Sequence, residues 1–248
     1  MKSKGGPDLD FPFLCENERF SFPPPEKSKH DSIIALGGNL SPGMLLSAYE
    51  QGIFPWFSEG DPIIWHSPDP RFVIFPDKLH VSSSMKKIIK RNEFTITLDN
   101  NFSAVIAFCS QIERPGQGGT WITSDMLNAY TKLHSLGWAH SAEAYFEGEL
   151  VGGCYGLRLG NVFFGESMFS RRPNASKAAF LTLARILFDD GVFLIDCQQS
   201  TRHMESLGAE EISRLEFLSL IREAMALRAP DGGTDRRGNW GKLLPNPH

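Results

Sequence analysis

The sequence lacks any run of apolar residues approaching the roughly 20 that a membrane-spanning helix requires. Its first residues, MKSKGGPDLDFPFL, have no apolar core of a secretory signal, so none is expected. Cysteine is scarce: the four, Cys15, Cys109, Cys154 and Cys197, are scattered with no C-x-x-C pair. Cys109, Cys154 and Cys197 lie in apolar segments. That suits reduced core residues of a cytoplasmic protein and argues against a disulfide frame or a zinc site. The seven histidines show no H-E-x-x-H or other ligand spacing, so no metal centre is expected. Positive charge is not in excess either. The formal net charge is −4, so a nucleic-acid partner would have to be met by a local basic face.

What is present is ordinary for a soluble globular chain: 41% hydrophobic and 22% charged residues over 248 positions, long for one domain and short for two large ones. Residues 1–35 are rich in proline, including Pro23-Pro24-Pro25, and read as extended, loop-like chain. Ser41 and Pro42 then open a helix that Gly52 stops. An aromatic cluster, Ile53–Phe57, leads to Trp65-His66-Ser67-Pro68-Asp69-Pro70-Arg71, where alternating X-Pro bonds bar a helix. A domain boundary is expected here, giving residues 1–69 and 70–248.

The second part opens with a strand at Phe72–Phe75, a basic helix at Ser84–Arg91 and a strand at Phe94–Leu98. Helices follow at Phe102–Gln111 and from a Ser124 cap to Gly137. From Ser141 the period changes to strands. Glu147-Gly148 and Leu159-Gly160-Asn161 are turns, giving a three-strand antiparallel meander that ends near Glu166. Asn174 or Ser176 caps the next helix, whose apolar side is Phe180, Leu183, Ala184, Leu187 and Phe188. A strand at Val192–Gln198 comes next, and Ser213 with Glu216 fits a capping box for a last helix reaching about Leu227. Residues 229–248 read as an irregular tail. The order implies an α+β layered domain with a mixed central sheet.

The segment Gly160–Gln198 places carboxylates inside apolar strands: Glu166 in one, Asp196 with Gln198 in another. Burying such groups is costly without a partner or a task. Spaced two apart on one strand, Asp196 and Gln198 project from one face. They read either as a reactive pair or as a buried polar stitch between sheet and helix.

A set of strings then carries a family resemblance: ALGGNLSP (35–42), GIFPWFSEGDPI (52–63), SPDPR (67–71), GTWIT (119–123), LVGGCYG (150–156), FGESMFS (164–170), NASK (174–177), LIDCQ (194–198) and SLGA (206–209). In this order over roughly residues 22–227, they resemble the bacterial leucyl/phenylalanyl-tRNA–protein transferase family. The resemblance implies a small N-terminal domain followed by an acetyltransferase-like (GNAT-like) domain. It implies transfer of leucine or phenylalanine, and also methionine, from aminoacyl-tRNA to the N-terminal Arg or Lys of an acceptor protein. The product is an N-end-rule degradation signal. No cofactor or metal is expected, and a monomer is. The chain departs from the family pattern at His66, where a second tryptophan usually follows Trp65. It departs also at Asn39, at His30-Asp31-Ser32 and at Cys154, where a methionine can line the substrate pocket.

The ester of aminoacyl-tRNA already holds the energy for a peptide bond. The acceptor's α-amino group, with a reference pKa of about 7.7–8.0, is partly neutral near pH 7. Alignment and one proton acceptor suffice. The resemblance implies that Gln198 meets the amine and Asp196 orients and polarises Gln198, so activity but not folding should depend on both. Glu166 reads as a contact for the aminoacyl end or the acceptor's cation, or as an edge-strand salt bridge. Phe163, Met168, Cys154, Phe180 and Ile195 read as an apolar side-chain pocket or as ordinary core. Trp56 and Trp121 read as stacking platforms for the terminal adenine or as packed interdomain aromatics. Lys86, Lys87, Lys90 and Arg91 read as phosphate contacts for the acceptor stem or as a solvated helix face. The loop Arg171-Arg172-Pro173-Asn174 has no glycine, and Pro173 lacks an N–H, which argues against acetyl-CoA. The alternatives in view are an acetyl-CoA-dependent N-acyltransferase and a non-catalytic RNA- or degron-binding module.

Overall fold

The computed structural model describes residues 6–8, 10–28, 32–112 and 121–226. The sequence expectations for the tail at 229–248, for His30 and Asp31, and for Gly119 and Thr120 lie outside the described residues. The proline-rich opening is extended but ends in a strand, β1 (Ile33–Leu36). Helix α1 (Pro42–Glu50) starts at Ser41 as expected, though the Ser41 hydroxyl accepts the Leu14 N–H at 3.1 Å instead of capping the helix. Its residues Pro42–Tyr49 are buried on every side. The left-handed φ of +72° at Gly52 turns the chain into β2 (Phe54–Pro55) and β3 (Ile64–His66). These strands and β1 form a three-stranded antiparallel sheet in the order β1-β3-β2.

A second sheet begins with β4 (Arg71–Ile74). Helix α2 (Ser83–Lys90) is capped by Ser82, β5 is Thr95–Leu98, and α3 (Phe102–Ser110) is capped by Asn101. Helix α4 (Ser124–Ser135) is capped by Thr123, one residue before the expected Ser124, because the Thr123 hydroxyl reaches the Met126 N–H at 3.3 Å. The meander is β6 (Ala139–Phe146), β7 (Glu149–Leu159) and β8 (Val162–Ser170). Glu147 and Gly148 both have positive φ, 52° and 82°, the turn geometry that matches the twist of the flanking strands. Strand β8 runs beyond the expected end at Glu166 to Ser170. Helix α5 (Ala175–Asp189), β9 (Leu194–Gln198), α6 (Arg202–Glu205), β10 (Glu210–Ile212) and α7 (Arg214–Ala226) complete the fold. At the start of α7 the Ser213 hydroxyl accepts the Glu216 N–H at 3.2 Å, one of the two bonds of the expected capping box.

The second sheet has seven strands in the order β10-β4-β9-β8-β7-β6-β5. Only the β8–β9 pair is parallel, so the sheet is mixed and the class is α+β, as the sequence implies. Each face carries a core. On one, α5 lays the expected Phe180, Leu183, Ala184 and Leu187 over Phe163 and Ile195. The close approach needs Gly152: a Cβ there would stand 2.6 Å from the Ala175 Cβ. On the other face, Leu45, Tyr49 and Trp65 of the N-terminal segment share one core with Tyr130, Phe164 and Phe217.

Candidate active site

The parallel pairing of β8 and β9 runs from Val162↔Leu194 through Phe163↔Ile195 to Phe164↔Asp196 and stops there, while β8 continues to Ser170 against β7. A cavity of about 570 Å³ lies where that pairing ends. Its wall includes Gly165–Ser170 on one side and Cys197, Gln198 and Gln199 on the other. The structure gathers most of the sequence-derived candidates here. Glu166, Phe163, Met168, Cys154, Phe180, Ile195, Trp56, Trp121 and Gln198 all line the cavity. Cys154 and Met168 face each other as register partners across β7 and β8.

Glu166 is 9% exposed and β8 is an inner strand of the sheet, so it does not sit at an edge. Its partners are neutral donors. Tyr49 Oη donates to Oε1 at 2.7 Å, Gln198 Nε2 to the same oxygen at 3.1 Å, and Tyr130 Oη to Oε2 at 3.2 Å. The two phenol oxygens also lie within hydrogen-bond reach of each other, a bond made when one of them turns its single proton from Glu166 to its neighbour. The Glu166 carboxyl is pushed up to about 8, chiefly by burial; the tyrosine bonds and the Arg71 charge oppose the rise and the Asp196 charge adds to it. Burial also raises both phenols well above their ordinary value, with the Glu166 charge adding to the rise.

Asp196 lies behind this wall and does not line the cavity. Arg71 grips it with a fork, Nε to Oδ1 at 2.8 Å and Nη2 to Oδ2 at 2.6 Å, with both side chains fully buried. The guanidinium lies 4.9 Å from the Phe54 ring centroid and 4.3 Å from that of Phe217, and Nη1 reaches the Gly52 carbonyl at 3.2 Å. Removing one partner of such a pair leaves a buried charge and costs about 3–5 kcal/mol. The buried pair therefore argues against the expectation that folding is indifferent to Asp196→Ala.

The pairing of β9 with β4 is irregular at this point. Phe72 pairs with Gln198 and Val73 with Asp196, so Cys197 is an extra residue, a β-bulge. Gln198 takes a left-handed φ of 60°. Asp196 thus turns to Arg71 and Gln198 to the cavity. What joins them is the Gln198 N–H, donated to Asp196 Oδ1 at 2.9 Å, and not their side chains.

Trp56 and Trp121 are half-buried at the cavity wall. His66 sits under Trp56, ring centroids 5.7 Å apart. Its Nε2 contacts the Trp56 carbonyl at 3.1 Å and its Nδ1 the Ser32 hydroxyl at 2.9 Å. Burial lowers its pKa, so it is neutral at pH 7. Lys86, Lys87, Lys90 and Arg91 are exposed on and just after α2, and none of them lines the cavity.

Sequence reasoning passes over Arg71, Tyr49 and Tyr130. Arg71 stands in the SPDPR string, and an aspartate inside an apolar strand demands a cation, so the signal exists. The tyrosines read as parts of the apolar sides of their helices, and nothing local shows that their hydroxyls converge.

Models of known families match most of the chain. The leucyl/phenylalanyl-tRNA protein transferase model covers residues 73–222, and the N-terminal domain model of the same transferase covers residues 38–69. A leucyl/phenylalanyl-tRNA–protein transferase of Myxococcus xanthus is 53% identical over 219 residues, 88% of this chain and 91% of that protein. One of Pseudomonas putida is 52% identical over 206 residues, 82% of this chain and 91% of that protein. Among solved structures, a GCN5-related N-acetyltransferase from Kribbella flavida aligns with a TM-score of 0.38 and 12% identity, over 70% of this chain and 62% of that one, a likeness too slight to argue from. The two adjoining family models and the identity over nearly the whole length agree: this chain belongs to the leucyl/phenylalanyl-tRNA–protein transferase family.

Proposed function

We propose that this chain takes leucine or phenylalanine, and also methionine, from aminoacyl-tRNA and joins it to the N-terminal Arg or Lys of acceptor proteins, creating an N-end-rule degradation signal. The observation that carries the reading is the make-up of the cavity. It is a largely apolar chamber in whose wall Glu166 and Gln198 meet, with Ser167, Ser176, Gln199, Thr201 and His203 as further polar groups and two indoles in its lining. The aminoacyl side chain enters among Cys154, Phe163, Met168, Phe180 and Ile195. The terminal adenine stacks on Trp56 and Trp121.

Gln198 meets the amine. Its Nε2 is committed to Glu166 Oε1, and its Oε1 has no partner among the described residues, so the carbonyl is the end left to accept an N–H of the attacking amine. The amine nitrogen bonds to the ester carbonyl carbon, the ester C–O bond breaks, and the proton lost by the amine ends on the departing ribose oxygen. Glu166 holds the Gln198 side chain and borders the aminoacyl end. Asp196 orients Gln198 through its backbone. No cofactor enters these steps.

With this reading go proposals that rest on it. Residues 1–69 form a small N-terminal domain and residues 70–248 an acetyltransferase-like one. Lys86, Lys87, Lys90 and Arg91 meet tRNA phosphates. The enzyme works as a monomer in the cytoplasm; no described helix is long and apolar enough to cross a membrane. The acetyl-CoA alternative is disfavoured by the turn before α5. Arg171 and Arg172 there are spread over the Phe108 and Phe146 rings, at 3.7 and 3.5 Å, and the N-cap Asn174 is left-handed at φ 70°.

The test is to mix the protein with radiolabelled Leu-tRNA or Phe-tRNA and peptides beginning with Arg, Lys or Ala. Label should enter the Arg and Lys peptides and not the Ala peptide. Absence of label from all three, or thermal protection by acetyl-CoA, would sink the reading.

A further inference from the structure

Gln198 holds an unusual backbone. A non-glycine residue at φ 60° pays of order 1–3 kcal/mol and persists only where its surroundings fix it. The bulge at Cys197 interrupts the β4–β9 ladder just before the Phe72–Gln198 pair, and β9 ends there, so ladder bonds alone do not supply that constraint. The group that does is Asp196, whose Oδ1 accepts the Gln198 N–H at 2.9 Å. Asp196 cannot shift, because both its oxygens lie in the Arg71 fork. Arg71 cannot shift either: Phe54 and Phe217 lie beside its guanidinium and the Gly52 carbonyl takes a third contact. Neither Arg71 nor Asp196 lines the cavity, so neither is placed to touch the reacting atoms.

We propose that Arg71 is a positioning residue for the transfer step: its fork locks Asp196, Asp196 locks the Gln198 backbone, and the angle at which the Gln198 carbonyl meets the amine is set from outside the cavity. The inference deepens the proposed function and rests on it. It also assigns the Asp196 charge a mechanical task, holding an N–H, in place of polarising the Gln198 side chain.

The test separates chemistry from binding and from folding. Arg71→Lys keeps the charge but loses the planar two-point grip. Arg71→Met/Asp196→Leu replaces the whole pair by apolar side chains, a change that buried ion pairs often tolerate without loss of stability. Each variant is checked by thermal melting. Donor binding is measured with Phe-tRNA alone, and single-turnover transfer to an Arg-starting peptide at saturating Phe-tRNA. Transfer should slow at least tenfold in both variants while the Kd for Phe-tRNA stays within twofold. Adding Gln198→Ala to the apolar pair should cost little more, because all three changes disable one unit. Wild-type transfer rates in either folded variant would overturn the inference. So would a slowing that multiplies in full with that of Gln198→Ala. If the wild-type protein itself moves no label, the proposed function fails instead. If Gln198→Ala is slow and both Arg71 variants are fast, only the present inference fails.

Discussion

Glu166→Gln should change how stability depends on pH, and the sign follows from the burial of the carboxyl. In the folded protein its pKa is raised from 4.5 to about 8. Below about 4.5 both folded and unfolded chains hold the proton. Between 4.5 and about 8 the unfolded chain has released it while the folded chain keeps it. The unfolded state then binds fewer protons, so stability falls as pH rises through this window. At about 1.4 kcal/mol per unit, the loss attributable to Glu166 is of order 5 kcal/mol across the window. The amide that Glu166→Gln introduces cannot titrate, yet its oxygen can still accept from Tyr49 and Gln198. Urea unfolding followed by tryptophan fluorescence from pH 5 to pH 8.5 would give both stability curves. Every other titrating group, His66 included, is common to the two proteins and cancels in their difference. The wild type should lose several kcal/mol more than the variant on the way up. Curves that stay parallel to within about 1 kcal/mol would refute a buried carboxyl that holds its proton at neutral pH.

Two further outcomes are expected. Replacing Lys86, Lys87, Lys90 and Arg91 by Ala should weaken tRNA binding and flatten its dependence on salt, measured by filter binding at several salt concentrations, since fewer phosphates would release counterions; unchanged affinity would remove α2 from the tRNA site. Cys154→Met narrows the chamber directly opposite Met168, so the Phe-to-Leu rate ratio should move toward Leu by no more than about 1–3 kcal/mol, and a ratio that stays put or moves toward Phe would exclude Cys154 from side-chain selection.

Legibility in the sequence followed distance along the chain. The strand–helix–strand unit from Val162 to Gln198 was readable because its period, caps and turns are local. The apolar face of α5 came out residue by residue. The wall residues could be named because they sit in short strings around Glu166 and Asp196. The contacts that give these residues their chemistry are remote. Arg71 lies 125 positions from Asp196, and Tyr49 lies 117 from Glu166. The bulge at Cys197 was hidden for the same reason: it exists only relative to β4, whose register no window around residue 197 contains. The Thr123 cap was missed on a smaller scale, because threonine and serine stand side by side and either could have taken the role.

The place of β4 has a consequence for how the protein comes into being. This strand is made early, yet both of its neighbours, β9 and β10, are made late: Val73 pairs with Asp196 on one edge and with Glu210 on the other. A chain emerging from the ribosome therefore carries β4 with two open edges until almost the whole sequence is out. Such long-range pairing is slow to close and leaves an aggregation-prone edge in the interval. Insertion of β9 closes one of those edges and β10 the other, and the arrival of β9 brings Asp196 to Arg71 and Gln198 to Glu166. Joining of β9 to the sheet and assembly of the reactive wall are thus one step, and a nascent chain stalled short of residue 198 has none of the Gln198 chemistry.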